Sequence, residues 1–168
     1  AGVRTDQTLL VVMDHTPMQR EGKDLKELIL QILSETDQTC EVLWLEPDST
    51  GQVHTDFPQI NVVKAHLRPD SAVLSVGSGT VTDIAKHACY TYQQEHHSGP
   101  LPFAVYQTAN SVSAFTSNMA PTFVDGVKRT LPSRYPDVLI CDLETLRDAP
   151  RSMTVAGVGD LLAAFSSY

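Results

Sequence analysis

The residues Ser71-Ala-Val-Leu-Ser-Val-Gly-Ser-Gly-Thr-Val-Thr-Asp-Ile-Ala-Lys86 decide the fold of this chain. Residues 72–76 are an apolar run that predicts a buried strand, and residues 80–92 have helical character. The turn between them is Gly-Ser-Gly, residues 77–79. A strand that leads through such a turn into a helix typically holds phosphate, because glycine lets the backbone approach the anion and free helical N–H groups point at it. The other interpretation is a tight turn that needs glycine for a positive φ, and these residues alone leave both open.

Apolar strands and helical segments alternate along the rest of the chain. Further strands are predicted at residues 8–13, 41–45, 103–106 and 138–141, and further helices at residues 24–34 and 57–67. This alternation predicts an α/β fold with an open, doubly wound, mostly parallel, Rossmann-like sheet. Ligands bind at the carboxyl ends of the strands in such a sheet.

Three segments depart from this alternation. Residues 122–130 carry Asp-Gly between β-prone residues, which predicts a small inserted β-hairpin. Residues 93–102 are polar and contain proline, which predicts a loop. A helix is expected to begin near Ser152, and it is still apolar where the sequence stops. We therefore expect one α/β domain over residues 1–150, the start of a further part over residues 151–168, and a chain that is a piece of a larger protein.

The composition restricts the class of protein. The chain has 168 residues, of which 42% are hydrophobic, and a net charge of −8. That charge argues against nonspecific binding to nucleic acid or to an anionic membrane. No apolar run approaches the roughly 18 residues of a spanning helix, and the first residues lack a signal-peptide pattern. The three widely spaced cysteines are interpreted as reduced thiols of a cytoplasmic protein.

Several polar side chains follow predicted strands. Asp14 directly follows the first predicted strand, where an acid can accept hydrogen bonds from ribose hydroxyls or can simply begin a turn. Residues 108–117 hold five hydroxyls and one amide, which suit either ligand contact or a helix cap. Asp160 is an isolated acid in an apolar segment, where we expect it to be buried. Because burying an unpaired carboxylate is costly, we also expect it to meet a metal or a hydrogen-bonding partner. Lys86 and Lys128 could each offset the charge of a phosphate, but as exposed lysines they would usually have no specific role.

These motifs, in this order, resemble the metal-dependent, iron-containing type of alcohol and polyol dehydrogenases. That family includes glycerol dehydrogenases, glycerol-1-phosphate dehydrogenases and the related dehydroquinate synthases. The matching pieces are Val11-Val-Met-Asp-His-Thr16, Val76-Gly-Ser-Gly-Thr-Val-Thr-Asp-Ile-Ala-Lys86, Thr108-Ala-Asn-Ser111 with Ser117, and Ala149-Pro-Arg-Ser-Met-Thr-Val-Ala-Gly-Val-Gly-Asp160. The likeness is greatest to the glycerol-1-phosphate dehydrogenases.

The resemblance implies a role for each matching residue. In such enzymes the NAD pyrophosphate would lie on Gly77, Ser78, Gly79, Thr80 and Val81, and the nicotinamide half would contact Thr108, Ser111 and Ser117. Asp14 and Thr16 would lie by the adenosine ribose, with Asp14 favouring NAD over NADP. Asp160 would contact substrate and bind a catalytic divalent metal (zinc, nickel or iron), which acts as a Lewis acid on the substrate hydroxyl. Residues 1–150 would then be the NAD-binding domain, and residues 151–168 the start of a truncated all-helical domain.

Departures from the family pattern bear on the substrate. Two histidines from the helical domain complete the metal site in such enzymes, and they are absent here, so we expect these residues alone to bind NAD weakly and to turn over nothing. Ser113 stands where glycerol-1-phosphate dehydrogenases usually carry a substrate-binding Asp. Dehydroquinate synthases carry Glu in place of Asp160 and Gly in place of Lys86, which favours the dehydrogenases.

We therefore expect an NAD(P)-dependent, divalent-metal-dependent dehydrogenase of a small polyol or polyol phosphate, with no nucleic-acid or membrane partner. A homo-oligomer stays open. The alternatives are a synthase of the dehydroquinate type, which uses NAD transiently, and a non-catalytic module that keeps the fold. Net NADH production separates the first two, and absence of NAD and metal affinity would favour the third.

Overall fold

The computed structural model of the protein describes residues 7–97 and 99–166. Its strands are β1 (Thr8–Asp14), β2 (Gln19–Arg20), β3 (Lys23–Asp24), β4 (Cys40–Leu45), β5 (Ser71–Gly77), β6 (Phe103–Gln107), β7 (Met119–Val124), β8 (Val127–Pro132) and β9 (Val138–Cys141). Its helices are α1 (Leu25–Ser34), α2 (Phe57–His66), α3 (Gly79–His96), α4 (Leu143–Asp148) and α5 (Arg151–Ser166). A short 3₁₀ turn spans Ser113–Phe115.

Five strands form the central sheet in the order β4-β1-β5-β6-β9. Every neighbouring pair in it is parallel. Parallel neighbours need crossover connections, and α1, α2 and α3 supply three of them. The predicted doubly wound α/β sheet is therefore confirmed.

Alternate residues of the central strands fill two cores on opposite faces of the sheet. Leu10, Val12 and Val73 face the core that α2 and α3 complete. Leu9, Val11 and Met13 face the core that α1 completes. Because both faces are covered, the central strands are apolar throughout, which is why they were recognisable as continuous runs.

The inserted hairpin is also confirmed, and it is longer than expected. β7 and β8 pair antiparallel around Asp125 and Gly126, which both have positive φ. That conformation is typical of the tight two-residue hairpin turn, and it explains the Asp-Gly pair.

The structure departs from the predicted elements in three places. α3 continues to His96 instead of ending at Tyr92, because Gln93, Gln94 and Glu95 favour helix and the first proline comes only at residue 100. The two-residue strands β2 and β3 were missed because they are too short to show a period. α4 has six residues and was missed for the same reason, although Asp142 caps it by accepting a hydrogen bond from the Glu144 N–H.

Cys40, Cys89 and Cys141 are all free thiols, and burial raises the pKa of Cys89 to about 12.

None of the helices in residues 7–97 and 99–166 combines the length and apolar character that crossing a membrane requires.

Candidate functional site at the carboxyl edge of the sheet

The carboxyl ends of β1, β5 and β6 lie side by side, because these three strands are neighbours in the sheet. Register pairs Met13 with Val76, and Gly77 with Gln107. The polar segments that follow the three strands therefore meet at one edge. The topology brings together residues that are separated by up to about a hundred positions in the sequence.

The glycine turn is required by close packing and not by a special backbone conformation. Neither Gly77 nor Gly79 adopts a positive φ. A Cβ on Gly79 would lie 2.4 Å from Val112 Cγ2, and a Cβ on Gly77 would lie 2.7 Å from Val81 Cγ2. The alternative interpretation, in which the turn needs glycine for a positive φ, is therefore wrong. At Gly79 the turn approaches the segment after β6 more closely than a side chain would allow.

The first turn of α3 has no side-chain cap. Ser78 is the N-cap residue, and its hydroxyl accepts no hydrogen bond from the helix. The N–H groups of Gly79, Thr80 and Val81 belong to the first turn, whose amides have no partner within their own helix. Since the Val81 side chain is fully buried, only its backbone can serve a ligand. These uncapped amides can bind an anion.

A cavity of about 910 Å³ adjoins this helix start. It extends between α3, the segment after β6, the β7–β8 hairpin and α5. The residues predicted for the site that line it are Ser78, Gly79, Thr80, Ser111, Ser113, Ser117 and Asp160. Lys128 also lines this cavity from the hairpin, as an exposed residue.

Thr108 joins the end of β6 to the glycine turn. Its hydroxyl is buried and donates to the Gly77 carbonyl at 2.7 Å. Ser111 is buried beside it, and the Ser117 hydroxyl accepts from the Met119 N–H at 3.0 Å. Thr108 and Ser117 therefore already support the backbone around the cavity.

Lys86 is a residue whose role sequence reasoning missed. Its side chain is completely buried, so the expectation of an exposed lysine is wrong. Its Nζ lies 2.8 Å from Asp83 Oδ1 and donates to the carbonyls of Ala114 and Ser117 at 3.0 and 3.1 Å. Lys86 thereby ties α3 to residues 108–117, the hydroxyl-rich segment that follows β6. Its signal was an Asp and a Lys three residues apart in an apolar stretch of helix, the spacing of a local ion pair.

Desolvation dominates the electrostatics of Asp83. Burial raises the pKa of this carboxyl, and the positive charge of Lys86 lowers the pKa in opposition. Asp83 also lines the large cavity. The ion pair of Asp83 and Lys86 therefore lies at the wall of the candidate site.

Asp14 is buried at the end of β1, and both of its carboxylate oxygens have partners. Oδ1 accepts from Lys26 Nζ at 2.8 Å, and Oδ2 accepts from the Thr16 hydroxyl at 2.7 Å. Lys26 also donates to the backbone carbonyls of Asp14 and Thr16. Lys26 was missed by sequence reasoning because its place on the apolar face of α1 shows only in the fold.

Asp160 lies on the surface of α5, so the expectation that it is buried is wrong. The apolar neighbours that suggested burial, such as Leu161 and Leu162, are themselves more than 60% exposed. Asp160 does find the hydrogen-bonding partner that was expected: its Oδ2 accepts from the Ser113 N–H at 2.8 Å. This bond brings the two predicted substrate residues together.

α5 also approaches the segment after β6 through a glycine. A Cβ on Gly157 would lie 2.0 Å from the Asn110 carbonyl oxygen. Within residues 7–97 and 99–166, no group of three or more His, Cys, Asp or Glu is placed to hold a metal ion. The described residues therefore do not form a metal site by themselves.

Residues 3–150 match the family model of the iron-containing alcohol dehydrogenases. The chain belongs to this family. The resemblance of the sequence to this family is thereby confirmed.

The curated relatives are longer than this chain. A protein of Bacillus subtilis (strain 168) named as an NAD(P)+ glycerol-1-phosphate dehydrogenase is 33% identical over 165 residues, which is 98% of this chain and 39% of the relative. A protein of the same name from Sulfolobus acidocaldarius is 35% identical over 95 residues, 56% of this chain and 25% of the relative. The chain thus spans about two fifths of the length of its full-coverage relatives.

Solved structures share the fold at low sequence identity. An iron-containing alcohol dehydrogenase superposes with a TM-score of 0.72 at 17% identity, covering 94% of this chain and 46% of that one. Glycerol dehydrogenase from Schizosaccharomyces pombe gives 0.66 at 18% identity, covering 93% and 36%. A 2-deoxy-scyllo-inosose synthase, solved with carbaglucose-6-phosphate, NAD+ and Co2+, gives 0.71 at 11% identity, covering 96% and 43%.

Proposed function

We propose that this chain is the nucleotide-binding part of an NAD(P)-dependent, divalent-metal-dependent dehydrogenase that acts on glycerol 1-phosphate or a similar small polyol. The observation that carries the proposal is the uncapped start of α3, which lies against the hydroxyl-rich segment at the carboxyl edge of the sheet. Family membership and the names of the curated relatives support it.

The chain's own residues bind and orient the cofactor in this proposal. The amides of residues 79–81 hold the pyrophosphate, because the helix N-terminus attracts negative charge. Ser111 and Ser117 face the nicotinamide half, and Thr108 fixes the turn against β6 through the Gly77 carbonyl. The bound nicotinamide accepts or supplies the hydride.

Asp160 and Ser113 form the substrate side of the proposed site. Both line the large cavity, and the Ser113 N–H orients the Asp160 carboxylate. Asp160 fits one ligand of a divalent ion, since hard and borderline cations accept carboxylate oxygen. Ser113 offers a neutral hydroxyl that can hydrogen-bond a polyol hydroxyl.

The proposal includes a cytoplasmic location, which the three free thiols support. It also includes the division between an NAD-binding domain over residues 1–150 and a following helical part that begins with α5.

The test is an assay of the natural full-length protein with glycerol 1-phosphate and NAD+, in the presence of Zn2+, Ni2+ or Fe2+ in turn. We expect net accumulation of NADH, and we expect Asp160→Asn to lower the rate at least about a hundredfold, as loss of a ligand or of its support does. Asp125→Asn, at the exposed hairpin turn, is the control and should leave the rate unchanged.

Other outcomes would select the alternatives. Bound NAD without net NADH production would favour a synthase that uses the cofactor transiently. Lack of affinity for both NAD and metal would favour a non-catalytic module and would contradict the proposal.

A further inference from the structure

Lys26 and Asp14 form a buried ion pair at the edge of the candidate cofactor site. The side chains are 6% and 5% exposed, and Lys26 Nζ lies 2.8 Å from Asp14 Oδ1. All three Nζ donors of Lys26 are used, on Asp14 Oδ1 and on the backbone carbonyls of Asp14 and Thr16. The pair is therefore fixed, and its net charge is zero.

A second cavity connects Asp14 with the glycine turn. It has a volume of about 420 Å³, and its lining includes Asp14, Thr16, Gly51 and Ser78. A dinucleotide whose pyrophosphate rests on the start of α3 carries a ribose on either side of that pyrophosphate. The adenosine ribose then has a continuous path from Ser78 to Asp14.

The charge next to this ribose decides between the two dinucleotides. An unpaired acid there accepts a hydrogen bond from the ribose 2′-OH of NAD and repels the 2′-phosphate of NADP. Asp14 is not unpaired, because the Lys26 charge lies 2.8 Å away and cancels its field over the distance to a bound phosphate. Other ionisable groups also lie at this edge. His15 and Glu46 are 3.1 Å apart, and Asp24 and Glu27 line a neighbouring cavity together with Asp14 and Lys26.

We propose that Lys26 is a positioning residue for cofactor specificity, whose charge neutralises Asp14 and so admits NADP as well as NAD. The inference rests on the proposed function, since it presumes that a nicotinamide dinucleotide binds at this edge. It differs from the expectation drawn from the sequence, in which Asp14 by itself selects NAD.

The test compares dissociation constants of NAD+ and NADP+ for the natural full-length protein and its variants, by calorimetry at pH 8. The wild type should bind both within about tenfold of each other, and Lys26→Met should weaken NADP+ relative to NAD+ by at least about tenfold, because an uncompensated carboxylate faces the 2′-phosphate. Lys23→Met is the matched control. Lys23 is exposed on β3, three residues before Lys26, so the same loss of charge should leave the ratio unchanged.

The second pair of variants keeps the test decisive if Lys26→Met does not fold. Asp14→Asn leaves the Lys26 charge uncompensated and should shift the ratio toward NADP+ by about tenfold. The double variant Asp14→Asn/Lys26→Met has no charge at the pair and should return to the wild-type ratio. An unchanged ratio in the folded variants, with dinucleotide still bound, would overturn the role of Lys26 alone. A wild type that binds neither dinucleotide would instead overturn the proposed function, and this inference with it.

Discussion

At the scale of single residues, two buried lysines organise the carboxyl edge of the sheet. Lys26 and Lys86 each combine a carboxylate at 2.8 Å with two backbone carbonyls. Lysine suits this position because its ammonium group has three donors and no acceptor. A buried charge is tolerated only when it is paired and hydrogen-bonded, so each lysine depends on all of its partners.

Replacing Lys86 by Met should destabilise the protein by about 3–5 kcal/mol, because the Asp83 carboxylate would stay buried without a partner. Urea unfolding at pH 8 measures this loss. Lys64→Met is the matched control: Lys64 pairs with Glu95 at 2.8 Å with side-chain exposures of 24% and 51%, and its loss should cost less than about 1 kcal/mol.

The pH dependence of the Lys86→Met effect has a definite sign. Burial already raises the pKa of Asp83 above its ordinary value of 3.8. A folded-state pKa above the unfolded one means that stability falls as pH rises through that window. The loss should therefore be smaller at pH 4 than at pH 8, and equal losses at the two pH values would contradict the role assigned to Asp83.

The stability that Asp142 contributes should change with pH in the opposite direction, falling as the solution becomes more acidic. A hydrogen bond from Arg20, with Nε 2.5 Å from Asp142 Oδ2, is the main cause that lowers the pKa of Asp142 from 3.8 to about 2. The stability from this interaction is present above pH 3.8 and is lost as pH falls toward 2. Because the pair is partly exposed, we expect it to contribute about 1 kcal/mol.

Urea midpoints measured between pH 2 and pH 5 test this expectation. The acid-induced loss should be smaller in Asp142→Asn than in the wild type. Asp125→Asn serves as the control, since Asp125 is exposed at a turn. Parallel pH profiles for the wild type and Asp142→Asn would show that the Arg20 interaction does not stabilise the fold.

At the scale of elements, the long periodic segments were predictable and the short connections were not. Residues 8–13 and 72–76 are apolar on both faces, so they predicted a parallel sheet that helices cover on both sides. The glycine turn and the Asp-Gly hairpin were predictable because each needs a particular residue type. The buried positions of Lys26 and Lys86 depend on which elements pack together, and local patterns in the sequence do not contain that information.

Two glycines in α5 should respond oppositely to the same substitution. A Cβ on Gly157 would meet the Asn110 carbonyl at 2.0 Å, whereas a Cβ on Gly159 would meet nothing within 4 Å. Gly157→Ala should cost about 1–3 kcal/mol by forcing α5 from the segment after β6, and Gly159→Ala should stabilise the helix by up to about 1 kcal/mol.

Thermal unfolding of both variants measures the difference. Gly157→Ala should also weaken substrate binding at the proposed site, because the same displacement separates Asp160 from the Ser113 N–H. Equal unfolding temperatures for the two variants would mean that α5 does not pack against Asn110.

At the scale of the whole molecule, the strand order creates the site. β1, β5 and β6 are adjacent although three crossover connections separate β1 from β6 in the sequence. Asp14, the glycine turn and the hydroxyl-rich segment therefore lie at one edge. The position of the candidate site at this edge was therefore predictable from an alternating sequence. The exposure of Asp160 was not, because it depends on how α5 lies against the domain.

The most direct test of the central claim is a titration of the isotope-labelled protein with NAD+, followed by the backbone amide resonances. We predict the largest shift changes at residues 78–81, with smaller changes at Ser111, Ser117 and Thr16. Changes confined to other parts of the chain, or saturable binding that leaves residues 78–81 unmoved, would contradict the assignment of the pyrophosphate to the start of α3.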